Sequence, residues 1–562
     1  MAAACLRRLH RIPHPVLKLA AATHWPLPFP GAKLAPVTQS CPSADRVEVQ
    51  LSARCPGFAS NGNFKHRWHH KLGSSVGAVL IGHAAFFLGL SNGSAFAQED
   101  SVSPAAASEH AEGNAPGLQP IEDGSVVSNE HTVKWRIYTD NAREFFQKRQ
   151  LDEAEKLFQA ALLEAKEGFG LRDPHVASAL NNLAEFYRLK KEHVKAEPLY
   201  LEAIEILEES FGPDDIRVGR TVHSLGICYH LQLKLAQAQT CYERALKIEG
   251  RVLGVGHPEY SSTMYSLAKV LSLQGKRKNA ECLIEESIRI LEEAGLGDSL
   301  TCLRRMVSLS RELIKSRRFA EAEIWQRKIL HVLELSEGWD SLVTARAAEL
   351  LSLNLETMEK LKESEELLER CLAVKKKILP EDHLQVAYTL VHLARLTLHR
   401  VVKDRDVNSD VTAYYLAKAK QFSNDSIRIT EGQLNSSRKD QNKINNTSTA
   451  DTDKSAAIIL FQALHVFGLI DIAAKQLLGQ GEQDYNSVQD ALQKCVSLYK
   501  EPHTRRLVKN AAKQDYMICL TSLIDMVQSL FPIPHIPGLQ ELLCEAEQIL
   551  GELEEESTRK KQ

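Results

Sequence analysis

A repeat with a period of 42 residues is the feature that most constrains the fold of this chain of 562 residues. The segment 173–248 holds two copies of one pattern, in which Leu183 and Ala196 recur as Leu225 and Ala238. A fixed period of this size is typical of solenoids, whose stacked supersecondary units each contact only their neighbours. The repeat therefore favours an extended interaction surface over the enclosed site of an enzyme.

The same offsets extend the repeat to about seven units over residues 131–430. A first-helix position is held in turn by Asn141, Leu183, Leu225, Leu267, Leu309, Leu351 and Leu393. A second-helix position is held by Ala154, Ala196, Ala238, Ala280, Ala322 and Ser364. Small residues at such positions let antiparallel helices pack closely, while larger side chains fill the surrounding holes. In the seventh unit the match, Ala419, comes thirteen residues late, which predicts an insertion around Val401–Val411.

These residues also carry a family resemblance. Within one unit the tetratricopeptide (TPR) consensus spacing is reproduced by Leu183, Ala184, Tyr187, Ala196, Tyr200 and Ala203. The 42-residue period resembles the TPR variant of kinesin light chains and nephrocystin-type proteins, most strongly over residues 173–290. The resemblance implies an all-α, right-handed superhelical solenoid, in which the first helix of each unit lines a concave groove that receives peptides or helices. Kinesin light chains carry a heptad coiled coil before their repeats, and this chain has an acidic segment in that place.

The N-terminal end has the composition of a targeting sequence. Residues 1–97 carry ten Lys or Arg against two acidic residues, and residues 76–90 form an uncharged apolar run. That run is shorter than the roughly 20 residues of a membrane-spanning helix, and an A-x-A end at Ala95 and Ala97 completes a signal-like segment. This order resembles the bipartite presequences of thylakoid lumen proteins, and it predicts cleavage after Ala97. The alternatives are retention of the apolar run as a thylakoid membrane anchor, a stromal plastid protein, and a mitochondrial protein.

The remaining segments differ in composition from the repeats. Residues 98–130 contain seven acidic residues and no Lys or Arg, which predicts a disordered acidic linker. Residues 431–454 are polar and predict a second disordered loop. Residues 455–555 regain a helical pattern, which predicts a degenerate repeat and a helical cap at the C-terminal end, followed by a charged tail over 556–562.

A basic strip is predicted along the concave groove. Two first-helix positions, seven residues apart and therefore on one helical face, hold eight basic residues and one acidic residue among fourteen. The predicted groove residues, with neighbouring polar and aromatic groups, are Arg136, Arg143, Asn181, Asn182, Arg220, Tyr265, Lys269, Arg304, Arg311, Arg346 and Arg395. Arginine suits bidentate contact with carboxylates, so we expect an acidic peptide or protein as the partner. The competing interpretation is that these arginines pair with acids on neighbouring helices.

No motif for chemistry accompanies the repeats. The sequence holds no phosphate-binding loop, no GxSxG, no HExxH and no CxxC, so neither an enzyme nor a cofactor or metal site is predicted. No aromatic stacking platform accompanies the basic strip, so a nucleic-acid partner is not expected. We therefore expect a non-catalytic scaffold that assembles or maintains an organellar complex. A kinesin-light-chain-like cargo adaptor and a chaperone-docking co-factor are the alternatives.

Overall fold

The computed structural model of the protein describes residues 129–404, 409–439, 447–478, 486–530 and 537–559. Every regular element of these residues is helical. The targeting segment predicted at 1–97, its cleavage site at Ala95 and Ala97, and the linker as far as residue 128 lie outside the described residues. Helix α1 begins at Glu130, at the end of the predicted linker.

Fourteen helices form seven antiparallel pairs, each made of an A helix and a B helix. The A helices are α1 (Glu130–Gln147), α3 (Pro174–Leu189), α5 (Ile216–Leu231), α7 (Pro258–Leu273), α9 (Leu300–Lys315), α11 (Leu342–Thr357) and α13 (Leu384–Lys403). The B helices are α2 (Leu151–Phe169), α4 (His193–Phe211), α6 (Leu235–Val252), α8 (Arg277–Glu293), α10 (Phe319–Ser336), α12 (Leu361–Ile378) and α14 (Ser409–Lys439). Each helix packs mainly on the helices before and after it, as in a TPR solenoid.

Local sequence signals at the same repeat positions start and end these helices. Six A helices are capped by residues spaced 42 apart, whose side chains accept a backbone N–H two or three residues later: Asp173, Asp215, His257, Ser299, Ser341 and His383. The turn from A helix to B helix contains one residue with positive φ in each of six units: Arg149, Lys191, Leu233, Gly275, Arg317 and Glu359. Only one of the six is glycine, so five turns hold a side chain in a conformation that favours glycine.

The predicted small residues lie at the helix contacts. Ala154, Ala196 and Ala238 are completely buried. In the third unit Gly226 takes the small position beside the leucine series, and a Cβ there would come within 2.8 Å of the Tyr242 ring. The predicted packing of small residues against large ones is therefore confirmed.

The insertion in the seventh unit lengthens its A helix. Helix α13 has 20 residues, whereas the A helices of units two to six have 16 each. Val401 and Val402, at the start of the predicted insertion, are helical and buried. The insertion therefore continues the helix before residues 405–408, which lie outside the described residues.

The prediction of a disordered loop over residues 431–454 is wrong at both ends of this segment. Helix α14 reaches Lys439, and α15 (Thr447–Leu478) begins within the predicted loop. Leu434 is buried, and the Ser437 hydroxyl donates a hydrogen bond of 2.6 Å to the buried Asp453, which joins the two helices. The polar composition of this segment predicted a loop. Its helices nevertheless pack against each other, through the buried Leu434 and the Ser437–Asp453 hydrogen bond.

The C-terminal region is helical, as the sequence predicts. It continues with α16 (Asn486–Lys500), α17 (Pro502–Leu507), a short π-helical turn (Val508–Ala512), α18 (Lys513–Leu530) and α19 (Pro537–Arg559). A second hydrophobic core runs from α13 to α19, separate from the core of the first six units. Helix α15 lies in this second core, against α13, α14, α16 and α18.

Helix α15 is also the one described helix that is long and apolar enough to cross a membrane. The stretch Thr452–Leu478 has a mean hydropathy of 2.0, and 83% of its most apolar window is buried inside the protein. Its apolar surface is therefore covered by neighbouring helices of the same chain.

Candidate functional site

The predicted groove residues lie on the A helices, and the structure divides them by exposure. We call the exposed side of these helices the A-helix face. On it Arg136, Arg220, Lys269, Arg304 and Arg311 are exposed, and Arg143, Asn181, Tyr265 and Arg346 are half-buried. Asn182 and Arg395 are buried, so these two predicted groove residues are not available to a partner.

Three of the exposed cations form what we call the basic face: Lys269 on α7, and Arg304 and Arg311 on α9. Arg304 and Arg311 are seven residues apart on one side of α9, and Lys269 holds the Arg311 position in the preceding unit. None of the three makes an ion pair within the part of the chain that the structure describes. Their positive charge is therefore not neutralised by neighbouring carboxylates.

An aromatic ring and a buried arginine lie beside the basic face. The Tyr265 ring centre is 5.2 Å from the Lys269 ammonium and 5.4 Å from the guanidinium of Arg305. Arg305 is 1% exposed and donates to Ser261 Oγ (2.9 Å), Ser262 Oγ (3.0 Å) and the Ser287 carbonyl (3.0 Å), and burial lowers its pKa. Its polar partners are neutral, so its charge adds to the positive potential of this face.

Two of the predicted groove arginines pair with carboxylates of the same chain instead. The guanidinium of Arg220 donates to both carboxylate oxygens of Glu259, at 3.0 and 2.9 Å. Arg395 is 3% exposed and pairs with the buried Glu356, whose pKa falls to about 2 although burial alone would raise it. For these two residues the competing interpretation, pairing with acids on neighbouring helices, is correct.

A cavity of about 610 Å³ lies further along the A-helix row. Its walls come from α11, α12, α13, α14 and α15, and they include Arg346 and Tyr388, which hold the Arg304 position in the next two units. Polar groups of Gln433, Thr452 and Ser455 line the side contributed by the C-terminal helices. The volume is within the range of small-ligand and side-chain pockets. The sequence did not predict this cavity, because the α14–α15 segment was interpreted as a loop.

The sequence also did not predict two buried polar triads, which occupy equivalent positions in two units. In the sixth unit Lys375 donates to Glu349 (2.6 Å) and to Thr389 Oγ1 (3.1 Å), and all three residues are buried.

The third unit has a triad at the same positions, where Thr263 bonds Glu249 (2.9 Å) and His223 (2.7 Å). Burial raises the pKa of Glu249 to about 7 and lowers that of His223 to about 4. The sequence held one signal for these triads. Glu249 and Lys375 are charged residues at a B-helix position that leucine holds in three other units, as Leu207, Leu291 and Leu333.

Comparison with known proteins identifies the repeats. A family model described as tetratricopeptide repeat matches residues 138–209, 175–249 and 223–293, and a second model with the same description matches residues 344–385. Among curated proteins, none matches this chain.

Solved structures similar to this chain include TPR-like repeats of a kinesin light chain candidate from Podosopora anserina, with 18% identity and a TM-score of 0.34 over 37% of this chain and 99% of that chain. BtubC (BKLC) from P. vanneervenii has 17% identity and a TM-score of 0.34 over 46% and 94% of the two chains. A tetratricopeptide repeat protein from Parabacteroides merdae has 14% identity and a TM-score of 0.31 over 58% and 99%. With TM-scores this low, the assignment depends on the family model and on the helix packing described above. The chain therefore contains tetratricopeptide repeats, and its paired helices pack as in a tetratricopeptide-repeat solenoid.

Proposed function

We propose that the protein is a non-catalytic scaffold that holds an acidic segment of a partner protein on the basic face. The observation that carries the proposal is the contrast between the arginines of α9 and two arginines of other A helices. Arg304 and Arg311 are exposed on one side of this helix with no ion pair among the described residues, whereas Arg220 and Arg395 are paired with Glu259 and Glu356. Exposed arginines that point the same way and lack acidic neighbours suit carboxylates supplied from outside.

Charge alone does not provide the affinity that a scaffold needs. An exposed ion pair contributes about 0.2–1 kcal/mol, whereas micromolar binding requires about 8 kcal/mol. The three cations therefore set the orientation and association rate, and apolar contacts supply most of the binding energy. The half-buried Tyr265 and Ile227 on neighbouring A helices provide such contacts. We accordingly expect a partner segment with acidic residues interspersed with apolar ones.

The proposed setting is an organelle, with the thylakoid lumen or membrane of the chloroplast first and the mitochondrion second. Support comes from the basic, acid-poor residues 1–73, the apolar run over 76–90 and the A-x-A end at Ala97. In this setting the scaffold serves the assembly or maintenance of a protein complex. The 42-residue period, shared with kinesin light chains, favours a cargo adaptor as the second candidate function.

Import of the labelled full chain separates the two candidates. Isolated chloroplasts and mitochondria are incubated with the chain, treated with protease and analysed for a protected product. The organellar proposal expects a protected product shortened by about 10 kDa, the approximate mass of 97 residues. A chain that stays full-length and protease-sensitive with both organelles would support the cargo adaptor instead.

A selection from random peptides tests the binding proposal. Twelve-residue peptides displayed on phage are selected on the wild-type chain and on two variants that lower the net charge equally. The test variant is Arg304→Glu/Arg311→Glu, and the control is Arg277→Glu/Lys278→Glu, which reverses two exposed cations at the start of B helix α8. Peptides rich in Asp and Glu should be enriched on the wild type and on the control, and lost on the test variant. Selected peptides without acidic enrichment, or acidic peptides retained by the test variant, would disprove the proposal.

A further inference from the structure

A cluster of metal-ligating side chains lies at the N-terminal end of the described repeats, far in sequence from the basic face. It consists of His131 on α1 and Glu164 and Glu167 on α2, whose ligand atoms all lie within 4.8 Å of one another. His131 Nδ1 is 2.8 Å from Glu164 Oε2 and 3.4 Å from Glu167 Oε2. Glu164 is largely covered, with a side-chain exposure of 16%, so the cluster lies partly inside the α1–α2 contact.

The backbone brings these three side chains together through a glycine. A Cβ at Gly168 would come within 2.8 Å of the Cβ of His131, so the absence of a side chain lets the first turn of α1 approach α2. In the same contact, the side-chain amide of Asn129 donates a hydrogen bond of 3.4 Å to the Gly168 carbonyl. The equivalent positions of the next five units all carry side chains: Ser210, Val252, Ala294, Ser336 and Ile378.

The charge of the cluster is also unusual for this protein. In the described part of the chain, His131 is the one ion-pair partner of Glu164 and of Glu167. On the next B helix, Glu205 and Glu209 instead both face the guanidinium of Arg172, at 3.3 and 3.4 Å. Two carboxylates that converge on an imidazole, with no lysine or arginine paired to them, leave a site suited to a cation.

We propose that His131, Glu164 and Glu167 bind a divalent transition-metal ion of the zinc class, which ties α1 to α2. Bonds of about 2.0–2.1 Å to a tetrahedral ion place ligand atoms about 3.3 Å apart, close to the separations of 2.8 and 3.4 Å. One imidazole nitrogen with two carboxylate oxygens suits zinc, whereas calcium takes oxygen ligands only. Water occupies the fourth position. The ion stabilises the first unit of the array, where a terminal helix pair has a neighbour on one side only.

Hydrogen exchange of the untagged full chain measures this effect at the site itself. Peptides covering 130–147 are compared in EDTA, in calcium chloride and in zinc chloride, at a free zinc concentration about ten times the Kd found by competition with a chromophoric chelator. Opening of the α1–α2 contact should then slow about tenfold in zinc and remain unchanged in calcium. This local readout is not affected by zinc bound to histidines elsewhere in the chain.

Variants identify the ligands. Glu164→Gln/Glu167→Gln and, separately, His131→Gln should abolish the protection by zinc, while the control Glu205→Gln/Glu209→Gln should retain it. Circular dichroism checks that each variant keeps its helical content. Equal exchange of 130–147 in EDTA and zinc for the wild type would overturn the proposal, as would full protection by zinc in the Glu164→Gln/Glu167→Gln variant. In either case the imidazole only contacts the two carboxylates and binds no metal.

Discussion

Glu249 should make the protein less stable as the pH rises through neutrality. This carboxyl is 2% exposed on α6, accepts one hydrogen bond from Thr263 at 2.9 Å, and has a second oxygen, Oε2, that is buried without a partner among the described residues. Burial raises the pKa of Glu249 from 4.5 to about 7, with a smaller contribution from Glu259, whereas the Thr263 hydrogen bond and Arg220 lower it. The folded protein therefore holds the proton of Glu249 at pH values where the unfolded chain has released it.

The size of the effect follows from the two pKa values. A tenfold change in proton affinity corresponds to about 1.4 kcal/mol, so a rise from 4.5 to about 7 corresponds to about 3 kcal/mol. Below pH 4.5 the carboxyl is protonated in both states, and the whole stabilisation is present. It is lost progressively as the pH rises to about 7, because the folded state must then bury a charged carboxylate. Above that pH the contribution is constant.

The substitution Glu249→Gln removes this titration and keeps the shape of the side chain. We expect the free energy of unfolding of the variant, minus that of the wild type, to rise by about 3 kcal/mol between pH 4.5 and pH 8. Urea unfolding followed by circular dichroism at intervals of half a pH unit measures the difference. The control Glu285→Gln changes an exposed carboxyl on the next B helix and should give a flat difference curve. A flat curve for Glu249→Gln, or one that falls with pH, would refute the reasoning.

Three further predictions concern the packing of the repeats. Lys191→Gly should raise the free energy of unfolding by about 0.5–1 kcal/mol, because Lys191 has a φ of 68°; a lower thermal midpoint would contradict this. Gly226→Ala should destabilise by about 1–3 kcal/mol, because the new Cβ meets the Tyr242 ring at 2.8 Å, and urea unfolding at the wild-type level would argue against close packing there. Arg395→Met should cost about 3–5 kcal/mol by leaving Glu356 buried without its cation; a loss below about 1 kcal/mol would show that Arg395 is not needed inside the protein.

The repeat register could be predicted from the sequence because it depends on local signals that recur unit by unit. Ala154, Ala196 and Ala238 recur at a fixed spacing, and in the structure they are completely buried between helices. Asp173 and Asp215 begin A helices at the same spacing. Each of these residues acts within its own unit or on the next one, so a single register determines all of them.

The features that the sequence did not predict depend on contacts between units. Arg395 and Arg311 hold the same repeat position, yet only Arg395 is buried, and it pairs there with Glu356 of the preceding A helix. Composition likewise missed the helical ends of the 431–454 segment, since Ser437 on α14 and Asp453 on α15 join the two helices by a hydrogen bond. Periodicity therefore located the A-helix face but could not tell which of its arginines are exposed.

A charge-swap titration tests most directly whether the basic face binds acidic segments. An acidic peptide chosen by the display selection is labelled with fluorescein, and its Kd is measured by anisotropy with the wild-type chain and with Arg304→Glu/Arg311→Glu. We expect at least about a tenfold loss of affinity in the variant, equivalent to about 1.4 kcal/mol. A second peptide, in which lysines replace the acidic residues, should bind the variant more tightly than it binds the wild type. If the acidic peptide binds both proteins with the same Kd, the basic face is not the binding site.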